Sequence, residues 1–230
     1  MINFEILFED FIAIMSVVPR TLAMALAIFV LATLIGSIFA MVEHKRIPVL
    51  REFVIAYKVA FKGPPMVIVI FLAYFGFPAA LQYMASLVGI NYNAYWTPNW
   101  VVLIVGITLC ISAFEAEIIK GALNSFDTGQ ADAARSLGYT DRQMFRRIMF
   151  PQVVVAAIPD LTTSTMVIMK ALSLGFAIEV VEIFGQAQIT AALNFYYLEA
   201  FLIAVVIYMV IAYIVTQIAD RAEAMLRLRS

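Results

Sequence analysis

Charge is the scarcest property of this sequence. Of its 230 residues only 13% are Asp, Glu, Lys or Arg, while 64% are hydrophobic. A soluble domain carries about 25% charged residues, so there is too little polar material to coat a water-soluble globule of this length. The mean hydropathy of +0.96 points to an integral membrane protein. Cysteine is nearly absent as well. Cys110 alone excludes an intrachain disulfide, lacks the neighbours of a redox or metal motif, and reads as a small buried packing residue. A single histidine, His44, excludes a clustered His/Asp metal site and leaves little for a membrane-embedded enzyme to use. The net charge of −1, with no Lys/Arg tract interleaved with aromatics, excludes nucleic acid as a partner. No Gly-x-x-x-x-Gly-Lys-Ser/Thr loop occurs, so the chain has no phosphate cradle for ATP of that kind. The absence of an internal repeat weighs against the alternative, a stand-alone secondary transporter or channel for a small polar solute. The N-terminal stretch carries Glu5, Glu9 and Asp10 but no early Lys or Arg, so a cleavable signal peptide is not expected.

What the chain has is long apolar runs, at about 17–42, 54–88, 100–123, 153–178 and 196–219. Each can cross ~30 Å of hydrocarbon as a helix rising 1.5 Å per residue. The short alternating segments of a membrane barrel are missing. The expected fold class is all-α integral membrane, with about five transmembrane helices. Basic residues occupy alternate connections. Lys45, Arg46, Arg51, Lys58 and Lys62 cluster around the first, Lys120, Arg135, Arg142, Arg146 and Arg147 around the third, and Arg221, Arg227 and Arg229 follow the last run. The connections 89–99 and 179–195 have none. The positive-inside rule then predicts the N-terminus outside and the C-terminus cytoplasmic. The aromatic stretch Asn91–Trp100 fits anchoring at the membrane–water interface.

One polar island interrupts the apolar pattern, Asp127-Thr128-Gly129-Gln130-Ala131-Asp132-Ala133-Ala134-Arg135-Ser136-Leu137-Gly138. Asp127 or Thr128 is placed to cap a short helix, with Gln130 three residues after Asp127 as in a capping box. Gly138 is placed to end that helix in the left-handed conformation. Thr140, with Gln143 three positions on, starts a second helix that is expected to break around Pro151. Three alanines would let another backbone approach the first helix closely, and Asp132 and Arg135, three apart, are placed to pair. These residues fit a docking helix and an ordinary amphipathic interface helix equally.

The island resembles the cytoplasmic coupling loop of permease subunits of binding-protein-dependent ABC importers, a Glu-Ala-Ala, three residues, Gly pattern followed at a distance by Ile-x-x-Pro. Here it stands as Asp132-Ala133-Ala134-Arg135-Ser136-Leu137-Gly138 and Ile148-Met149-Phe150-Pro151, with Asp132 in place of the usual Glu. The polar amino acid permease branch is resembled further by Ser112–Gly121, Gly129-Gln130, Pro151-Gln152, Pro159 with Leu161, Lys62–Met66 and Lys170–Leu174, so that the similarity covers most of residues 19–182. The resemblance implies an ABC type I importer permease-like fold, a single transmembrane permease domain over residues 1–230 with a coupling loop at 124–152, and residence in the cytoplasmic membrane of a prokaryote. It implies as partners separate ATPase subunits that carry ATP and Mg, a second permease subunit (identical or related), and an extracytoplasmic substrate-binding protein. It implies no cofactor in this chain and no catalytic residue. Coupling to the ATPase would fall to Gln130, Asp132, Ala133, Ala134, Arg135, Leu137 and Gly138.

Charges and hydroxyls within the spans form a second group of candidates. A charge at mid-bilayer costs at least ~2.5 kcal/mol and therefore faces protein or water. Glu115, Glu117, Asp160 and Lys170, with the hydroxyl run Thr162, Thr163, Ser164 and Thr165, are candidates for a substrate pathway, or for bonds between and within helices. Glu115 and Glu117, two apart, point to different helix faces and cannot line one pathway equally.

Overall fold

The computed structural model describes residues 4–227; Arg229 lies outside them. The helices are α1 (Phe4–His44), α2 (Leu50–Lys62), α3 (Met66–Leu87), α4 (Asn99–Asn124), α5 (Thr128–Ser136), α6 (Asp141–Met144), α7 (Phe150–Leu172), α8 (Ile183–Asn194) and α9 (Tyr197–Arg227). No strand occurs among the described residues. Five helical stretches are long and apolar enough to cross a membrane: Ile6–His44, Met66–Leu87, Asn99–Asn124, Asp141–Ile178 and Tyr197–Arg227. Their outward faces carry exposed apolar side chains such as Leu34, Phe75 and Met209, the surface that lipid covers.

The central helix is α4, which packs against α1, α2, α3 and α7. Leu103, Ile107 and Ile111 on α4 meet Ile28 of α1, Ile70 of α3, and Ile168 and Leu172 of α7 in one buried cluster. The α1–α4 crossing depends on Gly36. A Cβ there would come within 3.0 Å of the Ala116 amide nitrogen and 3.2 Å of the Glu115 carbonyl carbon. Backbone cannot yield as a side chain does, so only glycine permits this approach, in keeping with small residues at membrane helix contacts.

Three elements differ from the sequence reading. The apolar run 54–88 is two helices. Gly63-Pro64-Pro65 ends α2 and starts α3, because Pro64 and Pro65 offer no amide hydrogen to continue the first helix. The helix expected to break at Pro151 instead continues from α6 into α7. A π-helical turn, Phe145–Met149, precedes the proline, and the Phe150 amide bonds the Phe145 carbonyl five residues back. The wider turn accommodates a ring that would collide with a regular α-helical ladder. The connection 179–195 folds largely into α8, which packs against α1 and α9. Its start is capped by the buried Glu182 carboxylate, which accepts from the Phe184 and Gly185 amides at 2.9 and 2.8 Å and from the Tyr208 hydroxyl at 2.8 Å.

In the aromatic connection, Asn93 caps the turn Ala94–Trp96 and Tyr95 and Trp96 point outward. That placement suits an interfacial anchor.

Candidate functional site

The polar island forms a capped helix beside the ends of two spans. The Asp127 carboxylate accepts from the Gly129 amide at 2.8 Å and starts α5. Gly138, at φ +83°, ends it. The Tyr139 amide bonds the Ala134 carbonyl and the Gly138 amide bonds the Arg135 carbonyl. This is the paired closure that satisfies the last carbonyls of a helix through one left-handed residue. Thr140 and Gln143 make the expected capping box at the start of α6. Gln130, by contrast, makes no capping box with Asp127. Its side-chain oxygen accepts from Gln152 at 2.8 Å and ties α5 to the first turn of α7.

The two faces of α5 divide its alanines. Ala131 and Ala134 are buried against Ala40 of α1, Ala122 and Leu123 of α4, and Met144, Met149 and Val153. Ala134 therefore serves the chain's own packing and is not open to a partner, contrary to the sequence reading. Gln130, Ala133 and Leu137 lie three and four residues apart on the outer face, and Leu137 is 79% exposed. Asp132 and Ser136 are exposed beside them. Arg135 bonds Asp132 at 3.0 Å and Asp141 at 3.0 Å, so the expected pair is present and extended to α6. Hydrogen bonding and charge attraction from Asp141, followed by Asp132, raise the Arg135 pKa above its usual value.

Next to the Ala40–Ala122 platform lies an ion network that the sequence did not reveal. Glu43 of α1 is buried and accepts from Lys58 of α2 at 2.5 Å, with Lys120 of α4 at 2.8 Å from its other oxygen. Lys58 also reaches Glu117 at 2.8 Å. Burial works against the Lys58 ammonium, but hydrogen bonds to Glu117 and Glu43 outweigh it and raise its pKa above that of a free lysine. Glu117 thus belongs to this network and to a groove with Lys58 and Lys62.

The other pathway candidates are not gathered at one place. Glu115 is fully buried and accepts from Thr33 at 2.8 Å and Ser164 at 2.7 Å, joining α1, α4 and α7. Its carboxylate is a helix-to-helix fastening. The hydroxyls of Thr162 and Thr163 bond the carbonyls four residues back, at Ile158 and Pro159. Thr163 and Ser164 line a groove with Phe114, Asp160 and Val167, whereas Thr162 faces a different groove shared with α1 and α9. Lys170 lies in a third, a mostly apolar groove of about 510 Å³ between α7, α8 and α9.

A family model described as the binding-protein-dependent transport system inner membrane component matches residues 32–227. The chain belongs to this family. It is a permease subunit of an ABC importer, and with its five apolar helices it is a multi-pass protein of the cytoplasmic membrane. The permease is similar to the probable amino-acid permease protein YxeN of Bacillus subtilis (strain 168), 32% identical over 222 residues, 96% of this chain and 95% of that one. It is 31% identical over 224 residues to the probable amino-acid ABC transporter permease protein PatM of Vibrio harveyi, covering 97% and 96% of the two chains. Its fold matches the crystal structure of an amino acid ABC transporter with histidines, with a TM-score of 0.80 and 23% identity over 98% of this permease and 99% of that chain.

Proposed function

We propose that this permease moves polar amino acids or close analogues, and that α5 is the helix through which a separate ATPase drives it. Support for the coupling role comes chiefly from the geometry of α5. A rigidly capped helix rests its small residues on the ends of α1 and α4 and offers Ala133 and Leu137 outward. A push on that face is passed to the spans through close packing, because packed interiors have little free volume to absorb it. ATP and Mg bind on the ATPase, and the permease supplies no catalytic group. Two permease subunits, identical or related, enclose the pathway, and an extracytoplasmic binding protein delivers the substrate. The basic residues around α2, α5 and the end of α9 support an orientation with the N-terminus outside and the C-terminus cytoplasmic. The whole chain then acts as one membrane domain, with 124–152 as its coupling loop. Within it, Thr163, beside Asp160, remains the best-placed candidate for the pathway, since Ser164 is held by Glu115.

The substrate claim follows the relatives named as amino-acid permeases. It is tested by reconstituting the permease in vesicles with its ATPase and binding protein and measuring uptake of labelled polar amino acids. Uptake that requires both ATP and the binding protein is expected. Uptake driven by an ion gradient without ATP would overturn the reading.

A further inference from the structure

We infer that Arg142, Arg146 and Arg147 form a binding site for the phosphate of an anionic phospholipid headgroup. All three are exposed. With Gln143 they line a cavity of about 350 Å³. Among the described residues no carboxylate lies within ion-pair distance of any of them. The nearest acid in sequence, Asp141, is engaged by Arg135. Three guanidinium groups around one cavity with no internal counter-charge repel one another and hold a standing attraction for an anion. A planar, forked donor suits phosphate oxygens in particular.

The position of the site selects a lipid. α6, the π turn and α7 are one continuous helical stretch, so the arginines share an axis with a membrane span. Arg147 precedes Val153 by six residues, about 9 Å at 1.5 Å per residue, which is headgroup depth. Phe150 follows Arg146 by one turn and is 52% exposed, an apolar neighbour for the start of an acyl chain. The π turn contributes too: its extra residue per turn changes the register between Arg142 and the Arg146–Arg147 pair. This inference requires only the membrane placement of the chain and holds whichever solute is carried.

The test uses the assembled transporter, reconstituted in phosphatidylcholine vesicles with and without phosphatidylglycerol. It is then re-extracted in mild detergent, and retained phosphatidylglycerol is counted per transporter. Each arginine near the surface adds roughly fivefold to anionic lipid preference, so R142Q/R146Q/R147Q should lower the retained excess by at least about tenfold. R142K/R146K/R147K, which keeps the charge but loses the forked donor, should retain an excess between those of the native and glutamine proteins, and inorganic phosphate should not displace it. An unchanged excess in the glutamine variant would overturn the proposal, as would displacement by inorganic phosphate, which would mark a site for the free ion. Loss of the ATPase subunit with lipid retention intact would also overturn it and assign the arginines to the protein partner.

Discussion

Replacing Ala133 by arginine should leave the permease folded and inserted but stop ATP hydrolysis from driving uptake. Ala133 is exposed on the outer face of α5, one turn from Leu137. A partner backbone close enough to contact a methyl group has no room for a guanidinium chain. A clash of this kind that removes about 3 kcal/mol of docking energy lowers occupancy roughly a hundredfold. Ala134→Arg is the contrasting variant. Ala134 is 3% exposed and sits against Met144, Met149 and Ala122, so that change should deplete the folded protein itself. Gly138→Asp should be milder than either. A Cβ at position 138 meets nothing within 4 Å, leaving only the left-handed backbone penalty of about 1 kcal/mol, which aspartate tolerates better than most residues. Normal binding-protein-stimulated uptake in Ala133→Arg would remove α5 from the coupling role.

Glu43→Leu should destabilise the assembled transporter and loosen its coupling together. The Glu43 side chain is 3% exposed and balances both Lys58 and Lys120. Removing one partner of a buried ion pair costs about 3–5 kcal/mol when the remaining charge has lost both water and its counter-ion. Here Lys58 keeps Glu117 and Lys120, 34% exposed, keeps contact with solvent, so the destabilisation falls below that range. The network fastens α2 to α1 and α4 within a turn of Ala40 and Ala122, the residues on which α5 rests. A lower melting temperature in detergent, with more ATP hydrolysed per solute imported, is the expected pair of results. An unchanged melting temperature would show that the network contributes nothing to the platform.

The caps of α5 and α6 were legible because each is local: Asp127, Gly138, Thr140 and Gln143 act over two to five residues. The coarse placement of all five spans was legible from hydropathy for the same reason. What escaped the sequence depends on elements meeting in space. Gln130 has the spacing of a capping box, yet its partner is Gln152 on another helix. Lys58 read as one basic residue of a connection, although three helices converge to bury it against Glu43. Pro151 carried a correct signal for backbone disruption. In the fold the chain widens there into a π turn, and Met144, Met149 and Val153 around it share a buried cluster with the α5 alanines. The two-residue spacing of Glu115 and Glu117 already sets them on different faces of α4. The partners those faces meet, Ser164 for Glu115 and Lys58 for Glu117, depend on the neighbouring helices.

The most direct test of the central claim is a photo-crosslinking residue placed at Leu137 in the assembled transporter, with the same residue at the lipid-facing Leu34 for comparison. The docking role of α5 predicts a strong crosslink from position 137 to the ATPase subunit and none from position 34, which also tolerates a bulky side chain because it is exposed. Crosslinks from position 137 only to lipid or to the permease itself would contradict it.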